Sequence, residues 1–459
     1  MIRKCINNLD KWKNLVGRKP LVLRGARQVG KSYLIREFAK TNFENFLELN
    51  FEKDSTLASL FYSKDPKKIL NLLEIHFKTQ LDPEKTLLFL DEIQATPEIF
   101  ETLRYFYEEM PALAVIAAGS LLDFTLREHT FSMPVGRIEY MHLGPMSFEE
   151  FLIAAEEVKL HEFLCNFSMQ EKIPEVIHKK CMELLRTFLV VGGMPESIQT
   201  YFNTHSIQAC EKVKQNLLFT YEDDFNKYSK RVDIRRIQKI YRKLPLLVGK
   251  KFKYVAIDPE ERSKDLAQAL ELLCNARVVY RVFHTTGAGV PLGALINEKI
   301  FKPLFLDIGL MLSRNGLSLL DLEKTSDILL VNNGAVCEQF IGQSLLFLQD
   351  FYQEPTLFYW VREQKTSSAE VDYIISEGSH VIPIEVKSGK TGTLKSLHLF
   401  LREKKCALGV RFNSDHPSYL KAQTALSDGK NLSYELLSLP LYLVGQTKRL
   451  ISELIYKSK

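Results

Sequence analysis

The chain has 459 residues and a formal net charge of +5, from 61 Lys and Arg against 56 Asp and Glu, which at about 150 residues per domain makes roughly three domains. Hydrophobic residues at 46% and charged residues at 25% exclude wholesale disorder and a coiled-coil rod. Seven scattered cysteines without a CxxC pair disfavour a disulfide framework or zinc knuckle, and no stretch nears the ~18 apolar residues that span a bilayer, so a cytoplasmic protein without membrane contact is expected.

Residues 1–146 alternate short apolar runs (21–23, 46–49, 87–90, 113–117, 137–143) with amphipathic stretches, which predicts an α/β core with a parallel sheet covered on both faces. The first strand leads into Gly25-Ala26-Arg27-Gln28-Val29-Gly30-Lys31-Ser32, a GxxxxGK[ST] phosphate loop that opens a helix. Its glycines let backbone N–H groups wrap phosphate oxygens, Lys31 neutralises β/γ charge and the Ser32 hydroxyl can ligate Mg²⁺. ATP and Mg²⁺ are therefore the expected cofactors. Strand 86–90 ends in Asp91 and Glu92, placed to hold the metal through water and to polarise the attacking water. Ser120, at the tip of the next strand, either senses the γ-phosphate or simply forms a turn with Gly119.

Residues 147–226 read as a helical lid or connector, interrupted by VGGMPES (191–197). Residues 227–253 carry eleven Lys and Arg against one acid, Asp233, a local +10 that leaves the remaining 50 bases and 55 acids at −5. Helical patterns at 234–247 and 263–273, then two strands at 276–283 and 292–297, predict a winged-helix-like basic domain over 227–318. Such a stretch can bind DNA by counterion release, without sequence preference; the competing account is a solvated helix face or charge met by acids elsewhere in the chain.

Residues 319–459 read as a third α/β unit: a helix containing Glu338, strands at 357–361, 370–376 and 380–386, a helix at 394–403 and a strand at 408–412. Glu385 and Lys387 are two apart in one strand and share a face; if strands 370–376 and 380–386 form a hairpin, Asp372 reaches the same side. Two carboxylates and an ammonium are what metal-assisted phosphodiester cleavage requires, with Asp372 and Glu385 as Mg²⁺ ligands and Lys387 steadying charge or activating water. Plain amphipathic alternation with a cross-strand ion pair yields the same pattern.

RGARQVGKS (24–32), FLDEIQ (89–94), AAGS (117–120), VGRIE (135–139), PMSFEEF (145–151), GGMPE (192–196) and FLDIG (305–309) together resemble AAA-type P-loop ATPases of bacteria and archaea that carry a C-terminal domain of uncharacterised function. The resemblance implies an ATP-driven conformational machine with Lys31, Ser32, Asp91 and Glu92 in their usual roles. It makes Arg137 an arginine finger or sensor, a surface arginine being the equal alternative, and it leaves a homo-oligomer open. The C-terminal unit resembles the PD-(D/E)xK nuclease superfamily, with Val371-Asp372 where that pattern has Pro-Asp and with Glu338 as an extra metal ligand. An ATP-controlled signalling or interaction switch, whose C-terminal unit only binds partners, is the alternative function.

Overall fold

The structure, a computed structural model, describes residues 1–120, 134, 136–228, 232–317, 334–364, 367–389, 393–425 and 431–456. It divides into two compact units. The first comprises Met1–Pro145, Asn275–Val278 and Gln349–Pro355; the second comprises Met146–Cys274, Val279–Leu348 and Thr356–Lys459.

In the first unit the chain runs α1 (Ile6–Lys13), β1 (Leu21–Arg24), α2 (Lys31–Asn42), β2 (Asn45–Asn50), α3 (Pro66–Phe77), β3 (Thr86–Asp91), α4 (Thr102–Glu109), β4 (Ala114–Ala118) and β5 (Glu139–His142). All five predicted strands form, in the order β2-β3-β4-β1-β5, and every pairing is parallel. β3 and β4 are buried at every position, which is why they read as unbroken apolar runs rather than alternating ones. Val22, Leu49, Leu88, Leu90, Phe100, Phe106 and Val115 form the core on one face. The loop after β1 and the tips of β3 and β4 share the carboxyl edge of the sheet, where open α/β sheets bind ligands.

The second unit begins with helices α5 (Phe148–Ala154), α6 (Val158–Asn166), α7 (Glu175–Val191), α8 (Pro195–Thr204), α9 (Ile207–Tyr228), α10 (Ile234–Lys243), α11 (Tyr254–Ile257) and α12 (Ser263–Asn275). β6 (Val279–Thr285), β7 (Ile296–Phe305), α13 (Ile308–Arg314) and α14 (Ala335–Leu346) follow. The chain ends with β8 (Leu357–Gln364), β9 (Ser367–Glu377), β10 (His380–Val386), α15 (Lys395–Lys404), β11 (Leu408–Asn413), β12 (Ser418–Ala425), β13 (Asn431–Pro440) and α16 (Thr447–Tyr456). Eight strands make one mixed sheet, ordered β12-β13-β11-β10-β9-β8-β6-β7.

The strand pair expected as a wing is built differently. Residues 292–295 form a single tight helical turn, the second strand starts at Ile296, and β6 pairs parallel with β8 on its other side, so the hairpin is the end of the eight-stranded sheet. Pro303 lies inside β7, where a central strand would need its missing N–H; β7 is an edge strand and tolerates it. The helices of 147–226 and of the basic stretch belong with the C-terminal sheet in the second unit.

GGMPE and FLDIG meet at a clasp inside this second unit. The buried Asp307 carboxylate accepts from Gly193 N at 2.7 Å and from Leu310 N at 3.0 Å, capping α13. A side chain on Gly192, at φ +80°, would run into Asp307 Oδ1 at 2.4 Å and into Gly309 Cα at 2.8 Å, so glycine is required for the close passage. In PMSFEEF, Ser147 and Glu150 form a reciprocal capping box that starts α5.

Candidate functional site

The phosphate loop is shaped by its glycines. A Cβ on Gly25 would sit 2.3 Å from the Leu143 carbonyl oxygen, and Gly30, at φ +94°, caps α2 with no side-chain acceptor over the first-turn N–H groups. Gln28 also takes a left-handed conformation at φ 62°, which turns successive loop amides inward. Buried Lys31 donates to the carbonyls of Gly25 at 3.0 Å and Ala26 at 2.9 Å. Burial pulls its ammonium down to about 8, although Glu92 and Asp91 hold it up. A buried ammonium whose hydrogen-bond partners among the described residues are two carbonyls gains much from an arriving anion.

Asp91 ends β3 in the expected place. The Ser32 hydroxyl lies 3.1 Å from each of its carboxylate oxygens, and the Asn50 amide donates to Oδ2 at 3.2 Å, the β2–β3 register setting Asn50 directly opposite. Burial and the neighbouring Glu92 push the Asp91 carboxyl above its ordinary range, while the Ser32 hydrogen bond opposes them. The hydroxyl and carboxylate are hard oxygen donors of the kind Mg²⁺ takes, so the pair fits that ion, with the Asn50 amide holding the carboxylate in place. Glu92 sits at φ 52°, a left-handed turn just past the strand; Oε2 accepts from Gln94 Nε2 and from Ser120 Oγ at 3.4 Å. Asn50 and Gln94 escaped the sequence reading, although Asn50 is the polar end of an apolar run.

Arg27 pairs with Glu52 at 3.5 Å. Arg137 is half-exposed, donates to Glu108 at 2.7 Å and lies over the Tyr107 ring, 5.8 Å from its centre. Val135 and residues 121–133 lie outside the described residues.

In the second unit, β9 and β10 form the anticipated hairpin with Tyr373 opposite Ile384, which sets Asp372 beside Glu385. Lys387 Nζ donates to Glu385 Oε1 at 2.6 Å, and Asp372 Oδ2 accepts from Val386 N at 2.8 Å. Glu338 on α14 faces the same place. Two residues join them that the sequence did not flag: Glu370 and Lys302. The Lys302 side chain is 2% exposed and its Nζ contacts Glu338 Oε2 at 3.3 Å, Asp372 Oδ1 at 3.6 Å and Glu370 Oε1. Burial works against its charge, but Glu338, Asp372 and Glu370 overcome that and raise its pKa. Four carboxylates share two ammoniums, and burial plus repulsion from Asp372 pushes Glu338 and Glu385 upward. Among the described residues, no three or more His, Cys, Asp and Glu side chains are gathered to hold a metal ion. The expected ligands Glu338 and Asp372 instead grip an ammonium, because Lys302 projects from the adjoining strand pair into their midst.

Four bases of the basic stretch are matched from within the chain. Arg235 pairs with Asp233, Arg236 with Glu261 and Asp265, Lys239 with Asp258 and Glu261, and Arg242 with Glu222. The acids at 222, 258, 261 and 265 lie outside the 27-residue window that counted +10, and folding brings them back to it. Lys230 and Arg231 lie outside the described residues. No helix among the described residues is long and apolar enough to cross a membrane.

Comparison with known proteins divides the chain in three. Residues 182–321 and 333–428 match models described only as domains of unknown function, DUF8612 and DUF4143. No curated protein matches the chain. Among solved structures, the ORC2 protein of Aeropyrum pernix in its ADPNP–ADP complexes shares 10% identity over 70% of this chain and 96% of that one, with a TM-score of 0.36. AMPPCP-bound DnaA from Aquifex aeolicus shares 17% over 59% and 85%, with a TM-score of 0.28. The Thermotoga maritima RuvB Holliday junction branch migration motor shares 14% over 64% and 92%, with a TM-score of 0.25. Superpositions this loose decide nothing about mechanism. Residues 17–152 match the model of an AAA domain, and the phosphate loop, Asp91 and Glu92 lie within that match.

Proposed function

We propose that the chain binds and hydrolyses ATP in its AAA domain and couples the nucleotide state to a nuclease-like C-terminal unit. The observation that carries this is the phosphate loop itself: a buried Lys31 whose hydrogen-bond partners among the described residues are carbonyls, beside the Ser32–Asp91 pair. Gly25, Ala26, Arg27, Gln28, Val29 and Gly30 would wrap the phosphates, and Lys31 would take the β/γ charge. Ser32 and Asp91 would hold Mg²⁺, which neutralises phosphate charge when bound. Glu92, just past the strand tip, would orient and deprotonate the attacking water, with Gln94 and Ser120 fixing its carboxylate. Arg137 acts as a finger or sensor only if it leaves Glu108. The nuclease-like reading of the last unit is supported by the order α14-β8-β9-β10-α15-β11, with β10 and β11 parallel. Steady-state ATP hydrolysis that survives both Lys31→Ala and Glu92→Gln in the purified protein overturns the assignment.

One observation favours a second reading, an ATP-controlled switch whose C-terminal unit binds partners without cutting: Lys302 sits among the carboxylates that would hold the nuclease's metal. DNA contact through 227–253 has weaker support, since four of its bases already meet acids of the same chain. ATP hydrolysis with and without duplex DNA, and with an acidic polymer as charge control, separates the two. Stimulation by DNA alone supports a DNA-coupled machine; no stimulation supports the switch.

A further inference from the structure

We propose that Lys302 is the resident cation of the carboxylate cluster in the second unit, standing where a divalent ion would have to bind, so that this unit holds no such ion and cleaves no phosphodiester bond. The inference rests on the cluster's own geometry together with the nuclease-like reading of that unit, and is independent of the ATPase assignment.

Three elements deliver the cage to one point. β7 supplies the ammonium, α14 supplies Glu338, and β9 supplies Glu370 and Asp372; the ring of Tyr359 on β8 lies 5.3 Å from Nζ. The oxygens that face the ammonium, Glu338 Oε2 and Asp372 Oδ1, are those a metal bridging the two residues would need. Oxygen ligands of Mg²⁺ lie at about 2.0–2.1 Å. An ion on these two oxygens would therefore sit inside the hydrogen-bonding shell of Lys302, and two cations in so small a buried space repel strongly.

The rest of the cluster is nearly committed. Asp372 Oδ2 holds the Val386 amide and Glu385 Oε1 holds Lys387, which leaves Glu385 Oε2 without a hydrogen-bond partner and Asp372 Oδ1 facing Lys302 at 3.6 Å. A dication placed between these two oxygens would have the Lys302 ammonium 3.6 Å from one of its carboxylate ligands, too close for water to screen the charges. Nor can the lysine swing away freely. It is fixed in register opposite Val282, and its departure would leave three carboxylates facing one another.

The test counts bound Mn²⁺ by the loss of its free-ion electron paramagnetic resonance signal in the nucleotide-free full chain. Wild type and Asp372→Asn should bind the same amount, since any ion at the phosphate loop is common to both. Lys302→Met should bind one equivalent more, and Asp372→Asn added to it should remove that equivalent. A wild-type equivalent that disappears in Asp372→Asn overturns the proposal, as does a folded Lys302→Met protein that gains none. If Lys302→Met does not fold, the comparison of wild type with Asp372→Asn still decides.

Discussion

Two of the buried lysines, Lys31 in the first unit and Lys302 in the second, have opposite surroundings. Lys31 has two backbone carbonyls for partners and a depressed pKa; Lys302 has three carboxylates and a raised one. The first is an under-solvated cation, and a phosphate would satisfy it. The second is already neutralised. A buried ammonium by itself therefore says little about function: what matters is whether its counter-charge comes from the fold or is left for a ligand to bring.

Substitution should separate the two. Replacing Lys302 with Met strands three acids without their cation, and breaking a buried ionic cluster on one side typically costs about 3–5 kcal/mol, so urea should unfold the second unit at markedly lower concentration. Lys31→Met, in contrast, should leave stability unchanged or higher, since it removes a buried charge that no acid directly contacts. Equal losses in the two variants would erase the distinction. Glu92→Gln should keep ATP affinity while lowering the hydrolysis rate by about 10²–10⁴, the range of general-base catalysis, as measured by phosphate release. Lys31→Ala should weaken ATP binding about 10- to 100-fold, from the loss of charge-assisted hydrogen bonds of about 1.5–3 kcal/mol, as read by equilibrium titration.

The smallest effect is in pH. With its pKa near 8 in the free protein, Lys31 is charged below that value and binding ATP raises its pKa further. Affinity should be flat below pH 8 and fall by up to about tenfold per unit as pH rises above it. Lys31→Ala should lose this slope. Lys302, whose pKa is raised instead, should contribute nothing to it.

The same contrast explains what the sequence could reveal. The phosphate loop is contiguous, and its partner acids end a strand whose burial on both faces makes it an unbroken apolar run, so fold and site were readable together in the first unit. The strands and helix around Asp372, Glu385 and Lys387 were also legible, because hairpin pairing and period-two alternation are local. Lys302 was not. It lies 36 residues before Glu338 and 70 before Asp372, in a strand that Pro303 disguises and whose start the reading placed four residues early. Its only local mark is a charge between Phe301 and Leu304 in an otherwise apolar run. The +10 stretch shows the limit of a window from the other side: a window sums neighbours in sequence, whereas Glu222, Asp258, Glu261 and Asp265 become neighbours of three of its bases, Arg236, Lys239 and Arg242, only on folding.

The central claim, that the AAA domain uses Lys31 for phosphate and Glu92 for water, is tested most directly by measuring ATP binding and phosphate release side by side in wild type, Lys31→Ala and Glu92→Gln. Binding and release in wild type, neither at the same ATP concentration in Lys31→Ala, and binding without release in Glu92→Gln is the expected result. Release by Glu92→Gln at the wild-type rate, or undiminished binding by Lys31→Ala, would contradict it.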